Sequence, residues 1–127
     1  MIPAQAPRGA PLNSAVFDWT KLAVNPTKVG EIRPFFDTAT RTLARLESHV
    51  TTLNPGEISH QAHAHADEEL IIVRDGTVEA TINGIAHVAG PGSVFFFASH
   101  DLHGLRNPGA VRCSYHVIRI FPRDLPT

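Results

Sequence analysis

Apolar and polar residues alternate along short stretches of this chain, and turn residues separate those stretches. Within residues 40–53, Ala44, Leu46 and Val50 share one face, and mainly charged or polar residues occupy the other. An alternation of period two is typical of a β-strand, whose successive side chains point to opposite faces of a sheet. Residues 77–82 repeat the pattern, so both segments are predicted strands. Which face of the first points inward stays open.

Turn residues mark the ends of the remaining strands. Asn83-Gly84 is the strongest hairpin signal, because both central positions of a type I′ turn require positive φ. Gly90-Pro91-Gly92 precedes a predicted strand at residues 93–98, and residues 111–121 form the closing one. No segment has the pattern of a long amphipathic helix. Roughly eight to eleven short strands at near-regular spacing predict an all-β, antiparallel sandwich or barrel.

Composition narrows the class of ligand. The chain has 127 residues, enough for one domain, and its eleven basic and twelve acidic residues give a net charge of −1. Such a balance favours neither nucleic acid nor an anionic membrane surface, so we expect a small-molecule ligand. No apolar run reaches the ~20 residues of a membrane span. Cys113 is the single cysteine and is interpreted as a packed strand residue.

The chain divides by pattern into three parts. Residues 1–39 are predicted to be an irregular N-terminal arm with first short strands that pack on the barrel or on a partner. Residues 40–122 are the predicted barrel, and residues 123–127 are a tail. We expect a soluble, cytoplasmic protein. Ala4-Gln5-Ala6 leaves one alternative open, an exported mature form from which a signal peptide was removed.

A histidine-rich and acidic segment directly precedes the apolar run at residues 70–73. In a strand, His63 and His65 would point the same way with Cα atoms roughly 6.5 Å apart, and Glu69 would share that face. A carboxylate beside a β core must be paired, protonated or bound to a cation, because an unpartnered buried charge costs several kcal/mol. A cation between the imidazoles and the carboxylate would satisfy it. The alternative is a histidine-rich surface turn.

A second cluster follows the phenylalanine-rich strand. His103 begins a predicted strand, from which its imidazole can project inward. If the two hairpins face one another across a barrel, His103 completes a metal site with His63, His65 and Glu69. Three neutral imidazoles and one carboxylate suit Mn, Fe, Co, Ni, Cu or Zn, and leave coordination positions free for a ligand. A metal-free barrel lined with histidines is the alternative.

Both clusters resemble the two motifs of the cupin superfamily. The similar segments are Gly56 … His63-x-His65-x3-Glu69-x6-Gly76 and Gly92-x5-Ala98-x-His100-x2-His103-x3-Asn107. The resemblance covers about residues 40–120, and the short intermotif segment is similar to that of small single-domain bacterial cupins of the conserved-barrel type. Two positions depart from the pattern. Gly56 lies one residue further from the histidines, and Ala98-Ser99-His100 replaces the family's Pro-x-Gly turn.

The resemblance implies an antiparallel jelly-roll barrel, the RmlC-like double-stranded β-helix, with a divalent transition metal inside. Such proteins are often homodimers. The implied function is that of a small metalloenzyme, a dioxygenase, isomerase or lyase, acting on a small oxygen-rich organic molecule. The alternative is a non-catalytic ligand-binding or sensing protein in which the metal is structural.

Three further residues are candidates for the substrate pocket: Phe97, His116 and His49. If the closing strand turns Ile118 and Ile120 inward, His116 shares their face and could act as a general acid or base near neutral pH. His49 has the same status. Each is weighed against a hydrogen-bonded wall histidine, so the catalytic residues stay unknown.

Overall fold

The fold is all-β and antiparallel, as predicted. The structure is a computed structural model that describes residues 11–124. Within that range the one helical element is a 3-10 turn at Trp19–Lys21. The strands are β1 (Asn25–Pro26), β2 (Gly30–Thr38), β3 (Leu43–Leu53), β4 (Glu68–Asp75), β5 (Val78–Ile82), β6 (Ile85–Ala89), β7 (Val94–Phe97), β8 (His103–Arg106) and β9 (Cys113–Pro122).

The strands form two sheets. The larger has six strands in the order β1-β2-β3-β9-β4-β7, and the smaller has three in the order β6-β5-β8. In the larger sheet the closing strand β9 lies between β3 and β4 and pairs antiparallel with both. The last strand of the chain is therefore at the centre of this sheet. The arrangement is that of a jelly-roll barrel.

The hairpin between β5 and β6 has the predicted turn. Asn83 and Gly84 adopt φ values of +48° and +85°, as a type I′ turn requires. The same turn also fixes the loop before β8, because the Asn83 amide donates to the Leu102 carbonyl and the Leu102 amide donates to Oδ1 of Asn83, at 2.7 and 3.0 Å. This pair of bonds sets the point at which β8 begins.

The hydrophobic core lies between the two sheets. Both contribute to it: Leu53, Ile71 and Phe97 come from the larger sheet, and Val78 and Ala80 from the smaller one. Each of these five side chains has no solvent exposure. At about 1.5–3 kcal/mol for each fully buried large side chain, this shared cluster is the main force that keeps the sheets together.

The inward face of β9 does not carry His116. Tyr115 and Val117 belong to the core, so alternation places His116, Ile118 and Ile120 on the outer face. His116 stacks there on Phe35, with ring centroids 5.7 Å apart. His116 was a pocket candidate only if Ile118 and Ile120 pointed inward, and they do not.

The segment before β3 is built into the larger sheet. β2 pairs with β3 from Gly30↔Leu53 to Thr38↔Leu46, so the boundary predicted at residue 39 falls between two neighbouring strands. Trp19 lies on the outside of this sheet between two guanidinium groups, with the Arg33 and Arg74 carbons 4.0 and 4.1 Å from its ring centroid. Residues 1–10 and 125–127 of the predicted arm and tail lie outside the described range. Within that range no helix is long and apolar enough to cross a membrane.

Candidate metal centre

The histidine-rich segment meets the start of β8 through backbone hydrogen bonds. His63 and His103 exchange two N–H···O bonds of 2.9 Å each, and the His100 amide donates to the His65 carbonyl at 2.8 Å. The prediction that His63 and His65 lie in a regular strand is wrong, because β4 begins only at Glu68. The segment is instead an extended loop that the second motif holds in place, so tertiary pairing replaces strand alternation as the source of the geometry.

The two predicted motifs converge on one cluster. His63, His65, Glu69 and His103 each offer a ligand atom, and these four atoms lie within 4.8 Å of one another. The three imidazole centroids are 4.7–4.9 Å apart, with edge-on ring pairs. Such spacing lets three nitrogens and one oxygen surround a single ion.

The hydrogen bonds of two rings fix which nitrogen carries the proton. Nδ1 of His65 lies 2.9 Å from the Asp67 carbonyl oxygen, and Nδ1 of His103 lies 3.0 Å from the Asp101 carbonyl oxygen. A carbonyl oxygen can only accept, so each Nδ1 is the protonated nitrogen and each Nε2 of the neutral ring carries a lone pair. Both Nε2 atoms are buried and have no hydrogen-bond partner among the described residues.

Those two lone pairs face a buried carboxylate. Oε1 of Glu69 lies 3.2 Å from Nε2 of His65 and 3.6 Å from Nε2 of His103, and the residue is only 5% exposed. Among the described residues no lysine or arginine nitrogen pairs with Glu69 within 4.0 Å. Lone pairs directed at an anion repel one another unless a cation lies between them. The donor set therefore fits a divalent transition metal.

Electrostatics keeps the imidazoles in the state that binds a cation. Burial lowers the pKa of His63 from its ordinary value of 6.5 to about 4, with neighbouring histidines adding to the effect. Burial also lowers the pKa of His103. Both rings are then neutral at pH 7, so no proton has to leave before a metal ion binds.

A buried ion pair supports the cluster from behind. Arg119 donates to both oxygens of Asp67, at 2.8 and 3.0 Å, and the Asp67 side chain is 4% exposed. The Oδ1 atom of Asp67 also lies 3.0 Å from Nδ1 of His65. A carboxylate at Nδ1 fixes the ring's orientation and raises the basicity of its Nε2 atom, as it does behind metal-bound histidines.

The cluster opens into a cavity of about 290 Å³ inside the barrel. The wall formed by β3 contributes Glu47, His49 and Thr51, which alternate with residues of the outer face. Nδ1 of His49 lies 2.7 Å from Oε2 of Glu47, and its Nε2 lies 3.1 Å from the Thr51 hydroxyl. Tyr115, almost entirely buried, places its phenol beside Thr51 and Ser59, and burial raises its pKa.

The structure places the three pocket candidates differently. His49 lines the cavity. Phe97 is fully buried and stacks on His103 at 4.2 Å, so it supports the ring from behind and does not line the cavity. His116 lies on the outer face of the larger sheet and does not line it either.

Comparison with known proteins identifies the family. The model of the cupin domain matches residues 49–119, which is more than half of the chain and includes both motifs. The chain belongs to the cupin family. The predicted family and fold are thereby confirmed. No protein with a curated description matches the chain.

Solved structures agree on the fold. An RmlC-like cupin from Shewanella frigidimarina is 18% identical, with a TM-score of 0.70 over 87% of this cupin and 95% of that chain. A protein from Thermotoga maritima described as a predicted oxalate decarboxylase is 17% identical, with a TM-score of 0.67 over 84% and 99%. A sugar phosphate isomerase of the cupin superfamily from Silicibacter pomeroyi is 15% identical, with a TM-score of 0.67 over 84% and 75%.

Sequence reasoning missed several cavity residues. Glu47 and Thr51 had been assigned only to the polar face of their strand, and Tyr115 and Arg119 had no assigned role. The even spacing of Glu47, His49 and Thr51 was a usable signal, because residues two apart in a strand share a face, so Glu47 and Thr51 had to lie on the same face as His49. The signal did not reveal that this face points into the cavity.

Proposed function

We propose that this cupin binds one divalent transition metal through His63, His65, Glu69 and His103 and acts as a small metalloenzyme. Its substrate would be a small oxygen-rich organic molecule, and its reaction a dioxygenation, isomerisation or lyase reaction. The observation that carries the proposal is the pair of buried, unpartnered Nε2 atoms that face a buried carboxylate. A cation supplies the one charge that makes this arrangement favourable.

The residues of the cavity suit catalysis better than storage of an ion. A bound divalent ion would supply Lewis acidity to an oxygen of the ligand. Four protein ligands leave room at an octahedral ion for further donors, and the cavity beside them accommodates a small molecule. Its apolar lining, which includes Leu53, Val117 and Leu105, would exclude bulk water from a bound ligand.

Metal content tests the first part of this proposal. The protein is purified without added metal, stripped with a chelator and titrated separately with Mn, Fe, Co, Ni, Cu and Zn salts, while melting temperature and bound metal are measured. We expect one ion per chain and a rise in melting temperature. His63→Ala should lose both effects, whereas His87→Ala, an exposed position on β6, should retain them. Equal metal content in stripped wild type and His63→Ala after titration would refute the assignment.

Turnover tests the second part. Oxygen uptake and product formation are measured with a panel of diketones, flavonols and hydroxy acids. Oxygen consumption that disappears in His63→Ala would identify a dioxygenase, and conversion without oxygen would indicate an isomerase or lyase. A ligand that raises the melting temperature of the metal-loaded protein without turnover would instead support a non-catalytic ligand-binding or sensing protein.

The homodimer implied by the family resemblance stays a prediction. Light scattering on the purified protein measures the mass directly, and a mass of one chain would contradict it.

A further inference from the structure

The cavity has a second polar group, separate from the metal cluster, on the inner face of β3. Glu47, His49 and Thr51 occupy alternate positions there, and the first two are largely shielded, with 14% and 20% of their side chains exposed. The imidazole bridges its neighbours, with Nδ1 2.7 Å from the Glu47 carboxylate and Nε2 3.1 Å from the Thr51 hydroxyl. None of these residues belongs to the metal cluster.

These contacts fix the tautomer of His49. An ionised carboxylate only accepts hydrogen bonds, so Nδ1 carries the proton and the lone pair of the neutral ring is on Nε2. The Thr51 hydroxyl then donates to that lone pair. A hydroxyl is a replaceable donor, because it can rotate toward the neighbouring Tyr115 phenol when another group binds Nε2. Nε2 is therefore the basic atom of this pair, and it can accept a proton from a ligand once the Thr51 hydroxyl has rotated away.

The sheet register gives the distance between His49 and Glu69 along one wall of the cavity, because β3, β9 and β4 are neighbours in the larger sheet. His49 is opposite Val117 on β9, and Val117 is opposite Ile71 on β4, two residues after Glu69. The backbones of the histidine and the metal-binding glutamate are therefore two strand spacings apart across the sheet and two residues apart along it, roughly 12 Å in all. Their side chains point into the same space. A ligand of a few non-hydrogen atoms could touch both groups at once.

The charges of the lining limit the ligand class. Arg119 is the one arginine or lysine among the described lining residues, and two of its three guanidinium nitrogens, Nε and one Nη, donate to Asp67. Glu47 and Glu69 together carry a charge that a divalent ion would balance. The charge of this guanidinium is balanced by Asp67, and among the described lining residues no other arginine or lysine could receive a phosphate or a second carboxylate.

From these contacts we infer that His49, oriented by Glu47, is the proton-accepting group for an uncharged hydroxy-carbonyl ligand. The inference rests on the proposed metal site, which would bind the other end of that ligand. A proton from a C–H or O–H bond of the ligand passes to Nε2, and the bonding electron pair stays on the ligand. The imidazolium formed has Glu47 as its counter-ion, and return of the proton restores the ring. No oxidant or other reactant is consumed.

Proton exchange tests the inference with dihydroxyacetone as the probe. The Zn²⁺-loaded protein is incubated with the probe in D₂O, and loss of its carbon-bound protons is followed by NMR. We expect exchange in the wild type, a loss of about 100-fold in His49→Gln, and an intermediate loss in Glu47→Gln. His87→Gln, at an exposed site on β6, is the matched control and should exchange like the wild type. Exchange in His49→Gln at the wild-type rate, or none in the wild type, would overturn the inference.

Two measurements keep this result separate from the metal site. Zinc content should be one per chain in the wild type and in all three variants, so a failure of metal binding would be seen independently. The nitrogen chemical shifts of His49 in the Zn²⁺-loaded protein, without probe, should show protonated Nδ1 and unprotonated Nε2, and Glu47→Gln should change them. The opposite tautomer in the wild type would overturn the role of Glu47.

The ligand class has its own test. Affinity for the Zn²⁺-loaded wild type is compared between dihydroxyacetone and its phosphate ester by calorimetry. We expect the phosphate to bind no more tightly, because the one guanidinium among the described lining residues is already paired with the Asp67 carboxylate. A phosphate ester that binds tenfold or more tightly would overturn the assignment to uncharged ligands.

Discussion

Removal of the Arg119 guanidinium should expose how much the barrel depends on one buried ion pair. The Asp67 carboxylate is 4% exposed and accepts two hydrogen bonds from this guanidinium, at 2.8 and 3.0 Å, while the arginine side chain itself is 31% exposed. Arg119→Met keeps most of the apolar length of the side chain but leaves the carboxylate buried without its cation. Breaking a buried pair in this way costs about 3–5 kcal/mol. Nδ1 of His65 lies 3.0 Å from the carboxylate, but its one N–H donates to the Asp67 carbonyl, so it replaces the guanidinium only in part and the lower end of the range is expected.

The assay is urea unfolding of the metal-free protein, so that lost metal binding does not contribute. A double-mutant cycle with Asp67→Asn separates the pair from its surroundings, because the neutral amide removes the stranded charge. We expect the double variant to be more stable than Arg119→Met and the coupling free energy to be about 2 kcal/mol or more. A loss of 3 kcal/mol is a large part of the 5–15 kcal/mol typical of a domain.

The matched control is the pair Arg106 and Glu79 on neighbouring strands. It has the same two-bond geometry, with both distances 3.1 Å, but its carboxylate is 20% exposed against 4% for Asp67, and its arginine 42% against 31% for Arg119. Solvent screens such a pair, so its cycle should show a much smaller coupling. Additive effects at Asp67 and Arg119, or equal coupling in the two pairs, would refute the reasoning that burial makes the inner pair important.

Three other properties are open to measurement. Cys113 is 1% exposed and burial raises the pKa of its thiol, so a thiol reagent should label the native protein far more slowly than the unfolded chain, and equal rates would contradict its burial. Gly76→Ala should destabilise by at least about 2 kcal/mol more than Gly84→Ala in urea unfolding, because both have positive φ but only the Cβ at 76 would meet a backbone oxygen, at 2.7 Å. The pKa of His63 is lowered from 6.5 to about 4, so the unfolded chain takes up this proton first. The metal-free protein should therefore keep the contribution of His63 to stability above about pH 6.5 and lose it as the pH falls toward 4. His63→Gln should show a weaker loss, and identical profiles of stability against pH in the wild type and this variant would contradict the assignment.

Local patterns predicted most of the strands, and the four residues predicted as metal ligands lie in one cluster. The alternation in β5 and the Asn83-Gly84 turn act between residues close in sequence, so the structure reproduces them directly. The site residues could be named because two motifs with fixed spacing resembled a known family. His63 and His65 converge on one cluster as expected, but no regular strand brings them together, since their loop obtains its shape from hydrogen bonds to a segment about forty residues away.

By itself, the sequence determined that this chain is an all-β cupin with alternating strands, tight turns and four residues suited to one ion. Tertiary structure alone decided which faces of β3 and β9 point inward, and so placed His49 in the cavity and His116 outside it. The physical reason is that both faces of these central strands are at least partly covered. When either face can pack, alternation shows which residues share a face but not which face points inward. Only the pairing with neighbouring strands and the packing against the facing sheet select the inner face.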